Sequence, residues 1–273
     1  MLKLTHNEVL QYVYGHFNLG SGDGKFRLKD KQENDHVEEE KLVKSFKERT
    51  ITYLPREFGY KDKKFWSQYG ISRENLIKDG VIPIQMYRSM SKHGKYFTIA
   101  CMDEAYAYTK FTTLKGKLKP DKVKIYRPYA IKEAKWFTNC NQNDVGGLES
   151  LPEKGDLLLI TKAYKDCRIA LNFKIISCWF QAEGIFPNKE ILLNLCIRFK
   201  KIIIWFDNDS TGIAHSARLV SLINSLVPDK ASLMMIPPKL LKESVKDLSD
   251  FYAKKGKEET IKFLTERGIT IKI

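Results

Sequence analysis

Between residues 156 and 236 short apolar runs alternate with amphipathic segments, and no other feature restricts the fold so tightly. The runs "DLLLIT" (156–161), "IISCWF" (175–180), "KIIIWF" (201–206) and "ASLMMI" (231–236) read as strands buried on both faces. Between them, "AYKDCRIALN", "NKEILLNLCIRF" and "STGIAHSARLVSLINSL" read as helices. The second of these puts Ile191, Leu192, Leu195 and Phe199 on one face, and the third spaces Ile213, Ala217 and Val220 at helical intervals. Strands joined through helices make right-handed crossovers, which build a mostly parallel sheet covered on both sides. The expected class is α/β.

Such sheets gather chemistry at the carboxyl ends of their strands. The third run ends in "DND", so Asp207 and Asp209 stand where the strand leaves the core. Two carboxylates there repel each other and lose hydration unless something cationic lies between them. The plainer reading is that Asp209 caps the helix that follows. Lys162 stands at the tip of the first run with Asp166 a helical turn beyond, and Glu183 follows the second. Asp247 and Asp250 enter a helix in "KDLSDF". Neighbouring parallel strands can bring Asp166, Glu183, Asp207, Asp209 and Asp247 to one edge. Clustered carboxylates suit Mg²⁺ or Mn²⁺, and paired metals stabilise the attacking and leaving oxygens of phosphoryl transfer. An acid in a loop before a helix, as Glu183 is, is otherwise simply solvated.

The formal charge of +14 favours a polyanionic partner, with nucleic acid ahead of an anionic membrane. No apolar run approaches the roughly 20 residues that span a bilayer, and "MLKLTHNEVL" lacks a signal peptide's core, so no membrane role and a cytoplasmic location are expected. Cysteines 101, 140, 167, 178 and 196 form no CxxC pair, which predicts free thiols and no zinc. Residues 1–60 read as a helix, "HNEVLQYVYGHF", and a polar linker; 61–150 as a basic α+β subdomain; 151–255 as the α/β subdomain; and 256–273 as a C-terminal helix or tail. Residues 110–139 hold nine Lys or Arg against Asp121 and Glu133, a local +7. Tyr126, Tyr129, Trp136 and Phe137 lie among them and offer faces for stacking bases. The alternative is a solvated charged surface with those aromatics in the core.

The strand ends resemble a Toprim domain, the metal-binding module of bacterial-type primases, topoisomerases and some nucleases. "FDNDSTG" matches its DxD element with the trailing glycine, "KDLSDF" its late acidic pair, and Asp166 the aspartate after the first strand. Lys162 stands where the family has a glutamate. Upstream, "FWSQYGISRENLIKDGVIPI" and "KVKIYRPYAIKEAKWFTN" resemble segments of bacterial and phage primase cores, so the likeness extends over about residues 65–255. It implies a Toprim, Rossmann-like subdomain behind a smaller basic one. It further implies a phage-type primase that condenses ribonucleoside triphosphates on single-stranded DNA with Mg²⁺ or Mn²⁺, beside a replicative helicase, here without the family's N-terminal zinc module. Asp207, Asp209, Asp247 and Asp250 would hold metal, Asp166 would support them, and Glu183 would replace the missing acid. Lys124, Arg127, Lys135, Trp136 and Asn139 would line the template groove. The lysine admits three readings: it pairs with Asp166 away from the centre, it points inward to hold a nucleotide phosphate, or it marks an inactive site. Other activities in view are a single-strand-binding accessory and a Toprim nuclease.

Overall fold

The structure is a computed structural model that describes residues 49–91, 93–237, 240 and 243–271. The helix and linker expected within residues 1–48 lie outside the described residues. The first half forms a 6-stranded antiparallel sheet in the order β1-β2-β4-β5-β6, with β3 also paired to β2. Its strands are β1 (Thr52–Pro55), β2 (Val81–Met90), β3 (Tyr96–Ala100), β4 (Tyr106–Tyr108), β5 (Lys124–Tyr126) and β6 (Trp136–Thr138). Two short helices, α1 (Tyr60–Ser67) and α2 (Arg73–Lys78), precede β2. The "GIS" phrase makes the turn between them. Gly70 adopts a φ of 62°, where a side chain would also strike the Tyr252 ring. Ser72 then caps α2, its hydroxyl accepting from the Asn75 N–H at 3.2 Å.

The second half is a 4-stranded parallel sheet in the order β10-β9-β7-β8. It comprises β7 (Gly155–Thr161), α3 (Tyr164–Asn172), β8 (Ser177–Trp179), α4 (Lys189–Arg198), β9 (Phe199–Trp205), α5 (Ser210–Leu226), β10 (Ala231–Leu233) and α6 (Leu248–Glu266). Alternation along β7 explains the two covered faces. Leu158 and Ile160 pack with Ile191, Leu192 and Leu195 of α4 and with Leu219 and Ile223 of α5. Leu159 packs the other way, with Ile169 of α3 and Phe251, Phe263 and Leu264 of α6. The buried stripe of α5 is Gly212, Ser216, Leu219 and Ile223 rather than Ile213, Ala217 and Val220. The three apolar residues have the right spacing, but Gly212 must face the strand end, and this rotates the helix by one residue. A third, aromatic cluster joins the halves: Phe65, Trp66, Tyr106, Tyr108 and Tyr126 meet Tyr164 of α3 and Trp179 of β8. Gly146 and Trp179 also exchange backbone hydrogen bonds of 2.9 and 3.0 Å, tying the loop after β6 to the edge of the parallel sheet.

Candidate active site

Register brings the central residues together. Thr161 of β7 lies opposite Trp179 of β8 and Trp205 of β9, so all three strands leave the sheet at the same level. Their continuations carry Lys162, Glu183 and Asp207 to one edge. The Lys162 ammonium points inward, in direct contact with Asp207 Oδ2 and 3.1 Å from Glu183 Oε1. The same Glu183 oxygen accepts the Asp207 N–H at 3.2 Å. The three side chains are 23 %, 17 % and 15 % exposed for lysine, glutamate and aspartate. Burial acts against the lysine's charge, but Asp207, then Glu183 and Asp247, outweigh it and hold the ammonium above its ordinary range. Burial, with Asp247 and Glu183 adding to it, pushes the Asp207 carboxyl up to about 6 against the pull of Lys162. Lys162 therefore does not pair with Asp166; its partners come from the two neighbouring strands.

The other acids anchor the loops around this pair. Asp209 is the N-cap of α5, accepting the Gly212 N–H at 3.0 Å, while its second oxygen lies 3.8 Å from the Lys246 ammonium. That backbone bond first, then Lys246 and Lys162, hold its carboxyl below the ordinary range. Asp247 caps α6, accepting from the Asp250 N–H at 2.7 Å and the Ser249 hydroxyl at 2.8 Å. Asp250 accepts the Lys246 N–H at 3.2 Å, and burial followed by Asp247 raises its carboxyl. Asp166 is fully buried beneath the cluster and accepts the Ser249 N–H at 2.8 Å. Burial, with Asp247 adding, pushes its carboxyl upward, and its bond to Ser249 ties α3 to α6.

The trailing glycine of the DxD phrase also has a physical cause. A Cβ on Gly212 would collide with the Asp207 carbonyl and come within 2.7 Å of its carbon, so only glycine lets α5 start this close to the strand end. Two contributors escaped the sequence reading. Asn208, between the aspartates, points into the interior and binds the Ile236 carbonyl and N–H at 2.9 and 3.2 Å. Its own N–H reaches the Lys246 carbonyl at 2.8 Å, fixing the segment that carries Asp247. Period-two alternation in "DND" was the available signal. Lys165 lies 4.2 Å from the Tyr69 ring centroid. Burial would lower its ammonium, but Tyr126, Asp247, Tyr69 and Asp166 hold it above its usual range. Its position three residues after Lys162, on the same side of the strand exit, could have suggested it.

The proposed groove residues divide between two faces of the antiparallel sheet. Trp136 stacks on Tyr126 with centroids 4.3 Å apart and stays 39 % exposed, and Tyr129 is exposed nearby. Tyr126 senses Lys165 and Asp247 electrostatically, so this aromatic platform adjoins the acidic cluster. Lys124 is on that face but buried. Its ammonium donates to the Gln181 carbonyl at 2.7 Å and sits 4.7 and 5.1 Å from the Trp136 and Trp179 ring centroids. Burial lowers it to about 8, so it braces the sheets and is not offered to phosphate. Arg127 turns to the opposite face, where its charge acts on Tyr87 and Cys101. Asn139 is structural: its amide receives the Val123 N–H at 2.7 Å and donates to the Arg49 and Asp121 carbonyls at 2.9 and 2.6 Å. Lys135 is half-buried, and its carbonyl accepts the Arg127 N–H at 2.9 Å. Of the surrounding basic residues, Lys119 is paired with Asp144 at 2.5 Å, while Lys115, Lys117 and Lys132 are exposed.

The carboxylates do not fit a divalent ion as they stand. Among the described residues no group of three or more His, Cys, Asp or Glu is disposed to hold a metal. Asp209 and Asp247 each commit an oxygen to capping a helix, and the Lys162 ammonium lies on Asp207 and Glu183. Among the described residues no helix is long and apolar enough to cross a membrane.

No protein-family model and no curated protein sequence matches the chain. Solved structures do. The catalytic domain of DnaG primase bound to single-stranded DNA is similar at 13 % identity, over 97 % of this chain and 76 % of that one, with a TM-score of 0.50. A DNA primase domain from Pseudomonas aeruginosa is similar at 12 % identity, over 79 % of this chain and 65 % of that one, also with a TM-score of 0.50. A parallel α/β layer whose strand ends carry the acidic cluster, preceded by a basic antiparallel subdomain, is thus the Toprim-type fold of DNA primase catalytic cores.

Proposed function

We propose that the chain is a primase that builds short RNA primers on single-stranded DNA, joining a nucleotide 3′-hydroxyl to the α-phosphate of the next ribonucleoside triphosphate and releasing pyrophosphate. The observation that carries this reading is the convergence of Lys162, Glu183 and Asp207 at the carboxyl edge of a primase-type sheet, beside the Tyr126–Trp136 platform. Trp136 and Tyr129 supply stacking faces for template bases, and Lys115, Lys117 and Lys132 supply sequence-independent phosphate contacts. Lys162 is the cation best placed to meet a triphosphate at the acidic edge. A replicative helicase is the partner that the resemblance implies.

The test incubates the protein with single-stranded DNA, labelled ribonucleotides, and either Mg²⁺ or Mn²⁺, and resolves the products on a gel. New short RNA that disappears with Asp207→Asn supports the proposal. A second reading, a non-enzymatic single-strand-binding protein, is favoured by one observation: an ammonium already occupies the position between the carboxylates on which family chemistry depends. It predicts no RNA product and DNA affinity unchanged by Asp207→Asn. Shortening of the DNA instead would point to a nuclease.

A further inference from the structure

We infer that the Lys162 ammonium is the resident cation of the Glu183–Asp207 pair, so that a divalent ion can enter this cluster only by displacing a side chain of the protein itself. The inference concerns the site described above but does not require the chain to synthesise primers.

Three observations carry it. The ammonium bridges the two carboxylates, touching Asp207 Oδ2 and lying 3.1 Å from Glu183 Oε1. Mg²⁺ or Mn²⁺ shared by those oxygens would sit at about 2.0–2.2 Å from each, within the volume that the ammonium now fills. Lysine and ion therefore exclude each other. Second, Lys162 issues directly from Thr161, the last residue of β7, which is buried and paired on both sides in the middle of the sheet. A cation held on so rigid a base competes at the effective concentration of a short tether, about millimolar or higher. Third, the site keeps unspent capacity for positive charge. Asp207 Oδ1 is buried and has no hydrogen-bond donor among the described residues, and Asp247 adds its field to the pair. Lys165 brings a second ammonium into the field of Asp247, and two ammoniums against Glu183, Asp207 and Asp247 leave one negative charge, so the edge attracts a divalent ion and withholds the seat from it at once.

Chemically, the chain replaces a diffusible ion by a tethered one at this position. The divalent ion then binds well only when another anion draws Lys162 away, and the phosphates of a bound nucleotide are the anions suited to do so. Metal entry and nucleotide entry become linked through one side chain.

The experiment uses the full chain freed of metal, with Mn²⁺ alone as the probe and free Mn²⁺ followed by electron paramagnetic resonance. Wild type, Lys162→Met, Lys162→Glu and the double variant Lys162→Met/Asp207→Asn are compared. The expected result is Mn²⁺ binding at least tenfold tighter in Lys162→Met than in wild type, tighter still in Lys162→Glu, and a gain abolished by adding Asp207→Asn. Equal Mn²⁺ affinity in wild type and Lys162→Met overturns the inference, as does a gain that survives Asp207→Asn. Should Lys162→Met unfold without metal, the melting temperature of Lys162→Glu on addition of Mn²⁺ decides: a rise absent from wild type supports displacement, and equal responses refute it. Exclusion of Mn²⁺ without RNA synthesis would remove the primase reading and leave this inference standing. RNA synthesis with equal affinities would do the reverse.

Discussion

Removing the Lys162 charge in metal-free buffer should destabilise the fold by an amount that the geometry sets. At an effective dielectric of about 20, unit charges about 3 Å apart attract by about 5 kcal/mol. The groups are partly exposed, at 23 %, 17 % and 15 % for Lys162, Glu183 and Asp207, and desolvation offsets part of that attraction. Breaking a fully buried pair costs about 3–5 kcal/mol, so Lys162→Met should cost about 2–3 kcal/mol. Asp207→Asn alone should cost little or nothing, because burial and Asp247 already act against that carboxylate's charge and the lysine keeps Glu183 as a partner. If the ammonium and Asp207 interact as described, the double variant is better than the sum of the singles, with a coupling of about 1–2 kcal/mol. Urea unfolding followed by circular dichroism, with EDTA present and the denaturant slope checked for constancy, measures all four corners. A coupling below about 0.3 kcal/mol would mean that the contact is a solvent-screened surface pair, and the electrostatic account of the site would be wrong.

Other consequences follow from the neighbouring residues. Lys124 should titrate near pH 8 by NMR of its side chain, against 10.5 for an ordinary lysine. Between those values the unfolded chain holds a proton that the folded chain has shed, so this lysine's contribution to stability rises with pH. At about 1.4 kcal/mol per unit, wild type should gain up to about 3 kcal/mol on Lys124→Met between pH 8 and 10.5. Titration at 10.5 refutes the burial. Trp136→Ala should weaken single-stranded DNA binding about tenfold, the loss of one stacked base, and should cost about 1–2 kcal/mol of stability through the lost contacts with Tyr126 and Lys124. Asn139→Ala should lower stability and leave DNA affinity unchanged, because its amide ties three backbone groups, and fluorescence anisotropy with parallel melts separates the two. Gly212→Ala should cost about 1–3 kcal/mol through overpacking and should abolish any activity, because the collision is with the backbone of Asp207.

The α/β half was readable because periodicity there answers a single question, which face is buried. Strands surrounded on both sides leave nearly continuous apolar runs, and "STGIAHSARLVSLINSL" coincides with α5 from end to end. The acidic edge was readable for the same reason, since parallel strands must end together. Sequence could not assign partners across that edge. Lys162 is four residues from Asp166 and far in sequence from Glu183 and Asp207, so a local i,i+4 pairing looked natural. Asp166 instead turns inward, where it receives the Ser249 N–H. The ammonium, emerging four residues earlier and directly after β7, is directed at the continuations of the two strands flanking it. The basic segment misled for a related reason. A net +7 within thirty residues says nothing of direction, and alternation along β5 sends Lys124 into an aromatic cage and Arg127 to the far face. Charge counts locate a surface only where the residues share a face. Trp136 and Tyr126 do share one, and the aromatic cluster that joins Tyr126 to Tyr164 of α3 and Trp179 of β8 turns that face toward the parallel sheet that carries the acids.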